Sequence, residues 1–163
     1  MTNPGCGAGL TALAEGRWNE WHGLGPDCTR AVAEAAIGPT VPEPDGSGSL
    51  NGSPTSFRLY PAAPAAPHGI QLWLDGDRIL LVQINSPAPG RDPAELLGPP
   101  EAELISQLAV FHRQWVYASR GLALHVEADT HDVMRLYAFA PTSADEFAAS
   151  WLAKVEQHRV PRP

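Results

Sequence analysis

Two runs rich in aliphatic residues, Ile70 to Leu74 and Ile79 to Ile84, flank Asp75-Gly76-Asp77. A turn-forming Asp-Gly between two such runs is a strong short-range signal for a β-hairpin, because the tight turn needs residues that tolerate positive φ. The same signal recurs further on. Arg113 to Tyr117, Leu122 to Glu127 and Val133 to Phe139 read as three more strands, joined at Ser119-Arg120-Gly121 and across Ala128 to Asp132. Phe57 to Tyr60 alternates apolar and polar residues before a proline-rich bridge. It predicts a short edge or terminal strand, since proline is barred from a central one. This chain must therefore build an antiparallel sheet.

Helix signals lie between the strands. Leu10 to His22 carries apolar residues at Leu10, Leu13 and Ala14 and then Trp18 and Trp21, a pattern that seals a short helix onto a sheet. Thr29 is placed to cap a helix from Arg30 to Ile37 that Gly38 and Pro39 close. Asp92-Pro93 opens another that stops at Gly98-Pro99-Pro100, and Glu101 to Leu108 is read as a further helical turn or two. Thr142 and Ser143 with Asp145 and Glu146 form overlapping capping boxes, followed by Phe147, Trp151, Leu152 and Val155 at helical spacing. From Pro39 to Pro54 the sequence is dense in Pro, Gly and Ser with no periodicity, which predicts a long mobile loop.

The two halves line up internally. Ile37-Gly38-Pro39 matches Leu97-Gly98-Pro99, Tyr60 matches Tyr117, Gly69 matches Gly121 and Ile84 matches Ala138, at offsets of 60, 57, 52 and 54. The expected fold is α+β: a tandem repeat of a helix plus an antiparallel three-strand unit, forming one sheet with helices packed on one face. Its divisions are an N-terminal helical segment 1–28, a first unit 29–90 containing the loop 39–54, a second unit 91–141, and a C-terminal helix and tail 142–163.

The order helix, Leu97-Gly98-Pro99, loop, Trp115-Val116-Tyr117, Gly121-Leu122-Ala123-Leu124, turn and Val133-Met134-Arg135-Leu136 resembles the module of the small outer-membrane lipoproteins of the BamE/SmpA type. Two such modules in one chain resemble the architecture of the β-lactamase inhibitor protein. The resemblance spans roughly residues 29 to 141, and its motifs are short. It implies a fold and a habit of binding proteins through a sheet face, without implying either family's particular target.

Composition narrows the partner classes. With 11 basic against 18 acidic residues, a formal net charge of −7 and no basic run, the chain is poorly suited to a phosphate backbone, so no nucleic-acid partner is expected. Only Lys154 among the basic residues is a lysine, and Ala, Gly, Pro and Arg are abundant, the codon bias of a GC-rich and most simply bacterial genome. No stretch approaches the roughly 20 apolar residues of a membrane span, and Met1 to Leu10 lacks a signal-peptide pattern, so a cytoplasmic protein with no membrane partner is expected. Cys6 and Cys28 are too few for a disulfide framework and are expected as free thiols, although they could pair in an exported chain.

No phosphate-binding loop, dinucleotide fingerprint, nucleophile elbow or HExxH motif is present. No cofactor and no catalytic residue is assigned. His125, Glu127, Asp129, His131 and Asp132 crowd one hairpin, but His125 and Glu127 lie on a strand and His131 in the turn. A solvated polar hairpin is expected there, with no metal site. Period-2 alternation sends Phe57, Leu59, Ile70, Leu72, Leu74, Leu80, Val82, Ile84, Leu122, Leu124, Val126, Met134 and Leu136 to the core. The alternates Arg58, Tyr60, Gln71, Trp73, Trp115, Tyr117, His125, Glu127, Arg135 and Tyr137 mix aromatic, Arg and amide groups, the composition of recognition surfaces. These ten residues are the candidate binding face. The expected function is a non-catalytic protein- or peptide-binding module. The alternative is a small enzyme or small-molecule binder of a bacterial biosynthetic pathway, using His125, Glu127, Arg135 and Tyr137 in the same cleft.

Overall fold

The computed structural model describes residues 5–38, 46–50, 53–106, 111–150 and 153. Within them the chain runs α1 (Cys6–Glu15), a 3-10 turn (Trp18–Glu20), α2 (Arg30–Ile37), β1 (Gly46–Leu50), β2 (Ser53–Tyr60), β3 (Ile70–Asp75) and β4 (Arg78–Asn85). It continues with α3 (Pro93–Leu97), β5 (Ala102–Ile105), β6 (His112–Tyr117), a 3-10 turn (Ala118–Arg120), β7 (Leu122–Glu127), β8 (Val133–Ala138) and α4 (Ala144–Ala149). All eight strands join one antiparallel sheet in the order β1-β2-β3-β4-β8-β7-β6-β5. Two four-strand meanders meet at the β4–β8 seam, where Val82 faces Ala138 and Ile84 faces Leu136. That seam leaves β1 and β5 as the outer strands.

The expected unit of one helix and three strands is thus not what the chain builds. The fold is dominated by a single continuous sheet with four short helices among the described residues, and each meander has a strand that sequence pattern concealed. β1 lies inside the segment predicted as a mobile loop, of which residues 39–45 and 51–52 fall outside the described residues. Its Gly-Ser-Gly composition reflects a close approach: a Cβ on Gly46 would sit 2.3 Å from the Phe57 ring, and one on Gly48 2.8 Å from the Trp73 ring. Glycine here makes room for aromatics. β5 replaces the helical turns expected after Glu101, with Ala102 opposite Val116 and Leu104 opposite Gln114.

The strongest local signals form as their chemistry dictates. Gly76 at φ 60° and Asp77 close the β3–β4 hairpin between Asp75 and Arg78. The Thr29 hydroxyl accepts from the Val32 N–H at the start of α2, and the Ser143 hydroxyl does so from Glu146 at α4. Tyr60 and Tyr117 each end the second strand of a meander, and Gly69 and Gly121 each precede the third in left-handed conformations. At Gly121 a Cβ would stand 2.2 Å from the Phe139 carbonyl oxygen, which admits no side chain.

Both sides of the sheet are covered. On one side α1, α2, α3 and the buried Trp18 and Trp21 pack over Ile70, Leu72, Val82, Ile84, Leu122, Leu124 and Leu136. On the other, Phe147 of α4 and Ala153 join Leu50, Trp73, Leu81, Val116, Ala123 and Tyr137 in a second cluster. Helices on a single face were expected, and α4 overturns this. The part of that C-terminal helix predicted beyond Ser150 lies outside the described residues except for Ala153.

The cysteines are not free thiols: Cys6 and Cys28 form a disulfide that ties the start of α1 to the residue before the α2 cap. Asp27 completes the junction by accepting the Cys6 N–H at 2.9 Å. No helix of the described residues is long and apolar enough to cross a membrane.

Candidate functional site

Directly opposed strand partners share a face, so the register assigns every predicted site residue. Trp73 lies opposite Leu81 and Phe57, Gln71 opposite Gln83, Tyr137 opposite Ala123 and Gln83, and Arg135 opposite His125 and Asn85. Gln71, Trp73, His125, Arg135 and Tyr137 therefore share the α4 side of the sheet, and Glu127 continues it at the end of β7. The other four residues do not belong there. Arg58 pairs with Leu72, Tyr60 with Ile70, Trp115 with Leu124 and Tyr117 with Leu122, which puts all four on the side of α1, α2 and α3. Alternation orients residues within a strand, whereas the connection between strands sets their mutual phase. The four-residue link from Ala118 to Gly121 places odd-numbered Tyr117 beside even-numbered Leu122, whereas the longer link after Tyr60 places it beside Ile70, of the same parity.

Nor is the α4 side an open surface. Trp73 is 2% exposed, Tyr137 2% and His125 0%. Their polar atoms are used internally. The Trp73 indole N–H donates to Gln83 Oε1 at 3.1 Å, and the Gln83 amide donates to Asn85 Oδ1 at 2.9 Å. His125 bonds through Nδ1 to the Ser106 hydroxyl at 2.7 Å, has its edge against the Tyr137 ring at 5.7 Å, and faces Gln114 through Nε2. The Arg135 guanidinium donates to the Tyr137 hydroxyl at 3.2 Å. On the opposite side, Tyr117 donates to the Gly98 carbonyl at 2.8 Å, and burial pushes its phenol up to about 12. Buried polar groups paired in this way specify packing.

The hairpin rich in His and acidic residues does not gather a metal site. Glu127 caps its own turn by accepting the N–H groups of Asp129 and Thr130, and the Thr130 bond in particular lowers its pKa. His131 turns away toward Asp92, 3.2 Å from Nδ1 to Oδ2, and sets its ring edge-on to Trp115 at 4.8 Å. Among the described residues no three His, Cys, Asp or Glu side chains are placed to hold a metal ion.

Two features that sequence reading missed remain on the surface. One is a cleft of about 520 Å³ between the Ser86–Pro93 segment and the Thr130–Val133 turn. Ser86 and His131 in its walls hold left-handed backbone, at φ 46° and 62°, a conformation uncommon in residues other than glycine. Asp92 accepts the Ala94 N–H at 2.7 Å as the cap of α3, and that bond chiefly, with His131 adding to it, holds its pKa below the usual carboxylate value. The spacing of Asp92 and His131 in sequence gives no hint of their meeting.

The other is the β5 edge. Ser106 donates its N–H to the His112 carbonyl at 3.4 Å, so in a ladder of period two Leu104 also points its backbone at β6. Glu103 and Ile105 then direct their N–H and C=O groups outward. Ile105, at the end of β5, and Phe111, just before β6, are each 75% exposed. Leu59, at 41%, is the other large apolar side chain exposed among the described residues.

Among the described residues, fold and site thus define an antiparallel-sheet protein with both faces covered and with β5 as an outer strand paired on one side. No family model matches the chain, and no curated protein matches it. Among solved structures it is similar to a DUF4309 family protein (YjgB) from Bacillus subtilis, with 17% identity over 81% of this chain and 97% of that one, at a TM-score of 0.45. A likeness at that level carries no argument about function.

Proposed function

We propose that the chain is a non-catalytic protein- or peptide-binding module that takes its partner at the β5 edge and not on a sheet face. The observation that carries this reading is the exposure of Ile105 and Phe111 beside the outward backbone of Glu103 and Ile105. An outer strand with free N–H and C=O groups accepts an extended segment by strand addition, and exposed apolar side chains next to it supply the contact area. The burial of Trp73, Tyr137 and His125 argues against the face itself. The resemblance to BamE-type modules agrees with partner binding in general and names no partner.

The test is site-specific photo-crosslinking in the native host, with a photoreactive residue at position 105 or, as the face control, at position 71. A discrete protein adduct from position 105 and none from 71 is the expected result. An adduct from 71 and none from 105 would return the function to the face.

A second reading, a small-molecule binder or small enzyme, rests on the cleft. There His131, oriented by Asp92, takes the place of the predicted His125, Glu127, Arg135 and Tyr137. Ligand-induced chemical shifts at residues 86–93 and 130–133, absent in His131→Ala, would support it.

As to location, the expectation of a cytoplasmic protein gives way in this reading to an oxidising compartment. Disulfides such as Cys6–Cys28 form and persist there and are rare where thiols are kept reduced.

A further inference from the structure

We infer that the segment received at the β5 edge is an extended strand carrying a basic residue and an apolar residue two positions apart. This rests on the edge reading above and goes beyond it by naming the partner's chemistry. Glu103 and Ile105 both project on the side of Trp115 and Arg113, their opposed residues on β6. A partner strand added outside β5 therefore sets one side chain directly across from Glu103 and another, two residues along, across from Ile105. Cross-strand pairs are the unit of sheet stabilisation, with opposite charges favourable and like charges unfavourable when directly opposed.

Each position has a defined preference. Across from Glu103, itself exposed and with Glu101 exposed one residue before the strand, a Lys or Arg is attracted and an acid repelled. Across from Ile105, 75% exposed with the Arg113 cation in the row behind, a basic residue is repelled and an aliphatic or aromatic one covers Ile105. The intervening partner residue falls beside half-buried Leu104 on the opposite side and is best apolar. A second copy of this chain fits poorly. Antiparallel pairing of two β5 edges sets Glu103 against Glu103 or against Ile105, and it brings together two chains of net charge −7.

The probes are two blocked heptapeptides, Thr-Val-Lys-Val-Ile-Val-Thr and the same sequence with Glu for Lys, titrated into the full chain and followed by amide chemical shifts and fluorescence anisotropy. The lysine peptide is expected to shift the amides of Glu103 and Ile105 and to bind about five- to tenfold more tightly than the glutamate peptide. That preference should shrink in high salt and vanish in Glu103→Gln.

Glu103→Pro separates the two levels of the argument. Its only lost donor is the outward N–H, so β5–β6 pairing survives and a circular dichroism spectrum like that of the parent checks the fold. If both peptides bind alike and Glu103→Pro abolishes both, the charge inference is overturned and the edge reading stands. If the lysine peptide binds Glu103→Pro as well as the parent, or if neither peptide binds the parent at millimolar concentration, both fall. Concentration-dependent dimers of the chain that Glu103→Pro abolishes would assign the edge to a second copy and overturn the inference.

Discussion

Trp73→Ala decides between a sheet face that binds and one that is filled. The Trp73 ring packs 5.0 Å from Phe57, its N–H is held by Gln83, and it is 2% exposed. Emptying a buried Trp site costs about 3–5 kcal/mol. The Gln83 carbonyl, itself buried, then loses its donor, and an unsatisfied buried acceptor adds about 1 kcal/mol or more. The sum, about 4–6 kcal/mol, lowers Tm by about 10–20 °C in a chain of this length. Trp73→Phe keeps most of the ring and loses the N–H, so its expected cost is about 1–2 kcal/mol, the price of the missing hydrogen bond. Thermal unfolding by circular dichroism, with urea midpoints at 25 °C as a second measure, reads both. A Trp73→Ala protein that melts within about 2 °C of the parent would refute the reasoning, because an exposed side chain alone behaves that way.

Reducing the Cys6–Cys28 disulfide, with a sequence separation of 22, removes about 3 kcal/mol by loop-closure entropy. Melting with and without reductant should differ by about 6–12 °C, and identical curves would mean that the bond does not form. Asp92 has a folded pKa below its unfolded value, so its stabilising contribution is present above about pH 4 and is lost as pH falls through the folded value. Asp92→Asn should flatten the acid side of a plot of urea midpoint against pH, and an unchanged slope would count against the α3 cap. Tyr117 has the opposite sense. Its phenol is raised to about 12, so above about pH 10 the unfolded chain ionises first and stability falls. Tyr117→Phe should delay alkaline unfolding followed by circular dichroism, and an onset no later than the parent's would show that the buried phenol is not its cause.

What the sequence made legible were features governed by neighbours in the chain. The Asp75-Gly76 turn, the Thr29 and Ser143 caps and the Asp92-Pro93 helix start each depend on a few adjacent residues satisfying local backbone groups, and all are found. Features decided by distant partners were illegible or misread. Gly46 and Gly48 look like loop residues until Phe57 and Trp73 are laid over them. Cys6 and Cys28 look like free thiols until α1 and the start of α2 are brought side by side. Asp92 and His131, 39 residues apart, meet because the start of α3 lies beside the β7–β8 turn. Ile105 and Glu103 were lost because a four-residue strand carries too little periodicity to compete with a helical reading.

The fate of the candidate face follows from the same division. Within β3, β4, β7 and β8 the alternation holds for Gln71, Trp73, His125, Arg135 and Tyr137, which share one side, but register shifts put Ile79 in the core where Leu80 was expected and pack Val133 against it where Met134 was. Phase between strands depends on the length and geometry of each connection, and β2 and β6 came out inverted, sending Arg58, Tyr60, Trp115 and Tyr117 under the helices. Aromatic and amide composition then misled about exposure. Trp73 with Gln83, and His125 with Ser106, form bonded pairs, and a bonded pair of that kind serves a second packed layer as well as it serves a recognition surface. A composition rich in Trp, Tyr, Gln and Arg therefore identifies polar groups that need partners, and only the layer above them decides whether those partners belong to the same chain. At the β5 edge the backbone alternation turns Glu103 and Ile105 outward and β6 is their one neighbour among the described strands, so the layer above decides nothing there and the pairing of the backbone itself becomes the question.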